Sequence, residues 1–265
     1  MLFSVFIILF CCNYLREEVL IICQRAIIYR QHCERGEHQD DSNERVLQKV
    51  SRLGNIALTA VRTESELASV KRIPRLPNGE REDDVQHSFS LAILAPELRA
   101  QLYPDLDNDK IQSFSNTHEL LEIATGDAAT FDLTEEQLRE KHRREQEAKE
   151  QLLKRLTPEL GQNLEEYERQ DTPEARFVRA VDKILPVAMD VVGQGVRVIE
   201  EDYDISTLED LKKAHANLIA NFDRRFGEEF PELVQLYAHL TQEFEDKYKE
   251  EKAKMKISDY YQLFE

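Results

Sequence analysis

Three short stretches of this sequence combine histidine and carboxylate side chains with apolar surroundings. His87 lies at the predicted first turn of a helix, where one ring nitrogen stays free for a ligand. His118 is followed directly by Glu119 in a segment rich in Leu and Ile. Asp182 falls among apolar helix positions, and burying a lone carboxylate is costly unless a cation or hydrogen bonds compensate. Each residue is therefore a candidate functional group, with buried hydrogen bonding as the alternative.

Two further acids follow the second histidine. Glu122 comes four residues after His118 and three after Glu119, so the three share neighbouring parts of one helix surface. Asp127 comes directly after Gly126 at the predicted end of that helix. An acid in this place can contact a ligand, or it can simply shape a turn.

A loop before the first histidine contains two arginines. Residues 74–84 hold two prolines, an Asn-Gly pair and several charges, which predicts a loop. Loops of this kind often carry function. Arg75 and Arg81 are its candidate anion-binding residues, although loop arginines are commonly solvated or paired with acids.

The order of these residues, all on predicted helices, resembles the HD-domain metal-dependent phosphohydrolases. The similarity is closer to the 5′-deoxynucleotidase branch, whose members read approximately Arg, then Glu-x-Val-x-x-His-Ser, then His-Asp-x-x-Glu-x-x-x-Gly-Asp, then a distal Asp-Lys. It extends over roughly residues 66–185. The corresponding residues in this chain are Arg75 or Arg81, His87-Ser88, His118-Glu119, Glu122, Gly126-Asp127 and Asp182-Lys183.

The resemblance implies hydrolysis of a phosphate ester with one divalent metal. Two imidazoles and two carboxylates form a mixed ligand set that suits Mn²⁺, Co²⁺ or Zn²⁺. Such an ion polarises a phosphoryl oxygen and lowers the pKa of bound water, while a nearby carboxylate handles the protons. The implied metal ligands are His87, His118, Glu119 and Asp182; Glu122 would be the general acid/base, Asp127 would contact the sugar or assist the leaving group, and Arg75 or Arg81 would bind the phosphate.

Two positions depart from the pattern of that branch. Glu119 stands where the family usually has Asp, and Leu76 follows Arg75 where the family usually has an aromatic residue that helps to reject a 2′-hydroxyl. We therefore expect removal of the 5′-phosphate from ribo- or deoxynucleoside monophosphates. The alternatives are a degenerate HD-like domain that binds a nucleotide or a protein, and an HD hydrolase of a dNTP, cyclic nucleotide or alarmone.

The composition of the 265-residue chain suits a helix-rich globular protein. It has 41% hydrophobic and 33% charged residues with 8 Gly and 8 Pro, which excludes collagen-like and Pro/Gly-rich disordered classes. A net charge of −17 without a basic stripe argues against binding duplex nucleic acid. The 4 cysteines all precede residue 34 and form no C-x-x-C pair, so neither a zinc ribbon nor a disulfide framework is supported. We expect a cytoplasmic protein.

Helical periodicity predicts an all-α fold, an HD-domain helical bundle with an N-terminal apolar extension. Asp83 or Asp84 is placed to cap one helix, and Thr precedes Pro at two further helix starts. No alternating strand pattern competes. The predicted helices cover residues 46–72, 85–102, 110–125, 135–156, two segments that begin at 158 and 173, and residues 208–225 and 231–255.

The predicted HD-type domain covers residues 43–255, with an apolar segment and polar linker at 1–42 and a tail at 256–265. Residues 1–15 contain no charged residue, but they lack the features of a secretory signal and are shorter than the ~20 residues that span a bilayer. Three alternatives stay open for this segment: a helix that packs or supports a homodimer, membrane contact through residues 1–28, and a poorly ordered extension.

Overall fold

The computed structural model describes the backbone of residues 41–126 and 135–262, and side chains within 44–126, 143–144 and 146–254. Within these residues, helices dominate and one small sheet accompanies them, which confirms the predicted all-α class. The elements are α1 (Asp41–Leu67), β1 (Lys71–Arg75), β2 (Arg81–Asp83), α2 (Asp84–Leu102), α3 (Asn108–Thr117), α4 (Glu122–Thr125), α5 (Glu135–Leu153), α6 (Pro158–Arg169), α7 (Pro173–Val192), α8 (Gly195–Glu201), α9 (Leu208–Phe226) and α10 (Pro231–Gln262).

Local side-chain signals fix the starts of the helices that surround the site. Asp83 accepts a hydrogen bond from the backbone N–H of Gln86, and the Gln86 side chain accepts from the Asp83 N–H, which forms a capping box at α2. Thr157 and Thr172 cap α6 and α7, each followed by proline at the first helical position. These caps were predicted from the sequence, and the structure confirms them.

A β-hairpin occupies the segment that the sequence predicted as the end of a helix and a loop. β1 and β2 pair antiparallel, with Lys71 opposite Asp83 and Arg75 opposite Arg81. The turn places Gly79 at a φ of 87°, which a residue without a Cβ adopts at no steric cost. The prediction of no strands in this segment was therefore wrong, because Asn-Gly between two short extended runs is a hairpin signal.

The predicted helix at residues 110–125 is interrupted. α3 ends at Thr117, and α4 begins only at Glu122. Thr117 Oγ1 donates to the Ser113 carbonyl at 2.8 Å, and the backbone N–H of Leu120 bonds the Thr117 carbonyl at 3.2 Å, an i to i−3 contact. Side-chain and i to i−3 bonds replace the regular α-helical ladder here, and the interruption contains His118.

The two units into which the chain divides separate between Arg62 and Thr63. In the second unit, α7 is central and packs against α2, α3, α9 and α10. Phe177, Val181 and Ile184 are fully buried, as expected for a helix that is apolar on most of its faces. Asp182 is thus carried into the core by neighbours that bury large apolar areas.

Several predictions concern residues outside the described ranges. These are most of the apolar segment and linker, at residues 1–40, and the residue Asp127. The predicted domain boundary at residue 43 stays a prediction; α10 continues to Gln262, into the predicted tail. Among the described residues, no helix combines the length and apolar character needed to cross a membrane.

Candidate metal centre

Three separate elements position the four predicted ligands. His87 lies in the first turn of α2, directly after the capping box. His118 and Glu119 lie in the interruption between α3 and α4, and Asp182 lies in the middle of α7. The residues are up to 95 positions apart in sequence.

The four side chains converge on one buried centre. One donor atom from each of His87, His118, Glu119 and Asp182 lies within 4.8 Å of the other three. Asp182 Oδ1 is 2.9 Å from His87 Nε2 and 3.8 Å from His118 Nε2. Glu119 Oε1 is 3.5 Å from His87 Nε2 and 3.4 Å from His118 Nε2. The predicted convergence is confirmed, and the cluster could hold a divalent metal.

The hydrogen bonding of His118 fits a metal ligand. Its Nδ1 lies 2.9 Å from the Ser115 carbonyl and donates to it, so Nε2 is the unprotonated nitrogen of the neutral ring. Nε2 is buried and makes no hydrogen bond to the described residues. A buried polar atom normally has a partner. The lone pair of this nitrogen points into the cluster, where a metal would be its partner.

A second layer of charged residues surrounds the cluster, and sequence reasoning missed it. Arg72 Nη1 bonds Glu119 Oε1, and it lies 3.1 Å from Asp84 Oδ1. Glu82 Oε2 is 3.7 Å from Arg72 Nε and 3.5 Å from His87 Nδ1. Arg72 and Glu82 lie on the facing strands of the hairpin, so the hairpin delivers both to the site. The available signal was the Asn-Gly turn that pairs these strands.

The buried groups of this region carry a net negative charge, which favours binding of a divalent cation. Glu82, Asp84, Glu119 and Asp182 are buried carboxylates. The cations in ion-pair contact with them are Arg72 and Lys183, whose Nζ lies 2.9 Å from Asp182 Oδ2. With neutral imidazoles, these four acids and two bases leave two negative charges, which equals the charge carried by one divalent ion.

Protonation of the cluster follows from these contacts. Burial disfavours a charged imidazole, but interactions with Asp182 and Glu82 outweigh it and raise the pKa of His87 to about 9. Burial alone would raise the pKa of Glu119, yet without a metal the protonated form of His118 and the guanidinium of Arg72 lower it to about 2. The pKa of Asp182 also lies well below its usual range, because Lys183 and His87 outweigh burial. A metal would therefore meet ionised carboxylates and would have to displace a proton from His87.

The guanidinium groups of the two predicted loop arginines pair with acids at the end of α8, and Arg81 Nη1 also donates to the Arg72 carbonyl at 3.4 Å. Arg75 Nη2 lies 3.2 Å from Glu201 Oε2 and 3.7 Å from Asp202 Oδ2. Arg81 pairs with Asp202 through Nη2. Both guanidinium groups thus contact the end of α8, and their assignment to a phosphate stays a prediction.

The remaining predicted residues have different outcomes. Glu122 is half-buried at the start of α4, and its Oε2 accepts from Thr125 Oγ1 at 3.1 Å. Gly126 ends α4 with a φ of 69°. Asp127 lies outside the described residues. His215, which the sequence analysis did not single out, is buried and bonds Glu245 Oε1 at 2.8 Å across α9 and α10.

Comparison with known proteins places the chain in a family. The HD domain model matches residues 65–222. The mouse (Mus musculus) protein 5′-deoxynucleotidase HDDC2 is 30% identical over 185 residues, which cover 67% of this chain and 84% of the mouse protein. Its human (Homo sapiens) counterpart is 29% identical over 185 residues, covering 67% and 82%.

A solved structure shares the fold. The "Predicted metal-dependent phosphohydrolase" of Magnetospirillum magnetotacticum MS-1 aligns with a TM-score of 0.53 at 22% identity, over 72% of this chain and 94% of that protein. The family match covers more than half of the chain and includes every predicted metal ligand. The chain therefore belongs to the HD-domain family of metal-dependent phosphohydrolases.

Proposed function

We propose that this protein removes the 5′-phosphate from nucleoside or deoxynucleoside monophosphates with the help of one divalent metal. The observation that carries the proposal is the buried Nε2 of His118, which makes no hydrogen bond within the described part of the chain and lies beside two carboxylates and a second imidazole. The relatives named 5′-deoxynucleotidase support the substrate class.

His87, His118, Glu119 and Asp182 hold the metal in this proposal. The ion supplies Lewis acidity at the phosphoryl group and lowers the pKa of bound water. The protein contributes a fixed set of donors, because α2, α7 and the α3–α4 interruption are each anchored in the bundle. Burial keeps bulk water away from the donors, which strengthens their interaction with a cation.

Arg72 is the phosphate-binding residue that the geometry favours. Its hydrogen bonds to Asp84 and Glu119 both use Nη1, so Nη2 has donors left for a phosphoryl oxygen. The ion pair with Asp84 holds the guanidinium beside Glu119, one of the residues that would hold the metal. Arg75 and Arg81 stay candidates for contacts farther along the substrate, and their pairing with Glu201 and Asp202 has to open first.

Proton transfer falls to Glu122 in this proposal. The reaction breaks the bond between phosphorus and O5′: water adds its oxygen to phosphorus, and the leaving O5′ takes up a proton. A carboxylate that accepts a proton from water and returns one to the leaving oxygen satisfies both needs. Glu122 follows His118 by four residues, at the start of α4, and is not needed to complete the four-donor set. Asp127 would contact the sugar hydroxyl or assist the leaving group.

Selectivity for the sugar should be modest. Leu76 follows Arg75 in the hairpin turn, so no aromatic side chain is available at that position to exclude a 2′-hydroxyl. A pocket that only has to reject one added hydroxyl discriminates by about 10²-fold. We expect the efficiencies for ribo- and deoxynucleotides to differ by less than that.

The test is phosphate release from AMP, dAMP, dCMP, dUMP, a dNTP and a cyclic nucleotide, with protein loaded with Mn²⁺, Co²⁺ or Zn²⁺. We expect turnover of the monophosphates, and loss of turnover in Asp182→Asn with the fold retained by circular dichroism. The substitution Asp246→Asn, at an exposed position of α10, is the matched control. Preference for the triphosphate or cyclic nucleotide would contradict the substrate assignment. Metal binding without turnover of any substrate would favour the degenerate binding domain, for which the pairing of Glu119 with Arg72 is the supporting observation.

A further inference from the structure

The part of α1 before Thr63 is an exposed amphipathic helix whose charge differs from that of the rest of the chain. Residues 45–63 contain four basic residues and no Asp or Glu, whereas the chain as a whole has 52 acidic residues among 265 and a net charge of −17. Leu53 and Val61 expose 44% and 65% of their surface. Exposed apolar patches commonly mark an interaction site, so this segment is a candidate for one.

The spacing of the residues separates an apolar face from a basic edge. Five small or apolar residues recur at alternating intervals of four and three and so form one stripe. Three basic residues repeat the same spacing one position earlier, about 100° around the helix, and border the stripe. The stripe consists of Val46, Val50, Leu53, Ala57 and Ala60, and the basic edge consists of Arg45, Lys49 and Arg52.

We propose that this helix docks the protein onto an anionic lipid bilayer. An amphipathic helix with Lys and Arg beside its apolar face lies in the plane of the interface, with the apolar face among the acyl chains and the basic edge at anionic headgroups. The charge complementarity is confined to this segment. An anionic surface attracts the basic residues 45–63, whereas it repels the net negative charge of the rest of the chain. The charge-free residues 1–15 precede this helix and are compatible with the same surface.

A second copy of the helix fits these residues less well. Coiled-coil partners pair opposite charges along the two edges of their apolar stripe. Here the charged residues of the edge, Lys49 and Arg52 among them, are basic, and the opposite edge carries Gly54 and Val61. In a pair of such helices, a basic edge would face either another basic edge or an uncharged edge. Anionic headgroups, in contrast, have the opposite charge to these basic residues.

The experiment is co-sedimentation of the full chain with vesicles of phosphatidylcholine alone or with 30% phosphatidylserine. We expect binding to the anionic vesicles that weakens as salt rises, and little binding to phosphatidylcholine alone. Lys49→Gln with Arg52→Gln should weaken binding about 30-fold, at ~1 kcal/mol per basic residue. The control Lys212→Gln with Lys213→Gln changes the net charge equally on the exposed face of α9 and should bind as wild type.

A second pair of variants tests the apolar face. Leu53→Gln should weaken vesicle binding about tenfold, because a half-exposed leucine would lose its burial in lipid. Leu218→Gln is the control, since Leu218 on α9 has the same 44% exposure.

Three results would overturn the proposal. The first is no binding to anionic vesicles at low salt, and the second is full binding by the Lys49/Arg52 variant, which would assign attachment to residues 1–28 alone. The third is that the wild type forms a dimer and binds no vesicles, and that Leu53→Gln converts this dimer to a monomer. That result would show that the helix packs against a second copy of the chain. Phosphate release is not part of this test, so its outcome is independent of the proposed enzymatic function.

Discussion

Replacing Gly193 by alanine should displace the hairpin that carries Arg72. A Cβ at Gly193 would lie 2.0 Å from the Arg75 carbonyl oxygen and 2.9 Å from that of Met189, whereas ordinary contact begins at 3.4 Å. β1 therefore has to move by about 1.4 Å or more, the difference between 2.0 and 3.4 Å. The hydrogen bond of 3.2 Å from the Gln194 N–H to the Arg75 carbonyl would be lost with it.

Both stability and activity should fall in Gly193→Ala. Overpacking of this kind costs about 1–3 kcal/mol, which lowers the melting temperature by about 2–12 °C for a domain of this size. A misplacement of about 1 Å can lower activity about 10²-fold, and Arg72 lies three residues before Arg75 on the displaced strand. Thermal denaturation and phosphate release, measured on samples of equal metal content, separate the two effects.

The matched control is Gly54→Ala in α1, where an added Cβ would have no atom within 4 Å. Alanine is favoured over glycine in an exposed helix by up to about 1 kcal/mol, so this variant should keep or raise the stability of its helix and leave activity unchanged. If Gly193→Ala has the melting temperature and activity of the wild type, close packing at Gly193 does not fix the position of the hairpin.

Substitutions at Glu119, Glu122 and Arg72 test individual roles in the site, with Arg75 as a comparison. Glu119→Asp should keep or raise metal affinity in calorimetric titration, and Glu119→Ala should lose both metal and activity; metal binding by the Asp variant but not by wild type would favour the degenerate domain. Glu122→Gln should keep its metal and lose about 10²–10⁴-fold in kcat. Parallel loss of metal would make Glu122 a ligand or a support instead. Arg72→Lys keeps the charge but loses the planar fork, so KM should rise about tenfold at unchanged metal content. A larger rise of KM in Arg75→Lys would indicate that the predicted loop arginine, Arg75, binds the phosphate instead.

The parts of the fold that sequence reasoning predicted depend on local signals. Asp83, Thr157 and Thr172 each cap a helix by bonding a backbone N–H within three residues, so the pattern can be seen in a short window. The four candidate metal ligands were identified in a different way, through the order of residue types that resembles a family. Neither kind of signal requires knowledge of which helices touch.

The errors concern segments where tertiary contacts override local preference. The Leu-rich sequence around His118 favours helix, yet the helix is broken where the His118 ring bonds the Ser115 carbonyl and turns its Nε2 to the cluster. β1 contains Pro74 and is only five residues long, so its sequence does not show the alternating pattern that predicts a strand. Arg72 was consequently predicted to be the end of a helix, although it contacts Glu119 of the histidine and carboxylate cluster.

Long-range polar pairs were beyond prediction from one sequence. His215 and Glu245 are 30 residues apart on α9 and α10, and only the packing of those helices brings them within 2.8 Å. Arg81 and Asp202, 121 residues apart, are a similar case. Spacing rules within one helix carry no information about such partners.

Metal content, measured after loading with Mn²⁺ and removal of free metal, tests the central claim most directly. Wild type should retain about one Mn²⁺ per chain, because four donors converge on one centre. His118→Gln should lose the ion while keeping its helical circular dichroism, and the control His239→Gln, at an exposed position on α10, should retain it. Wild type without bound metal, or equal metal retention in His118→Gln, would contradict the account.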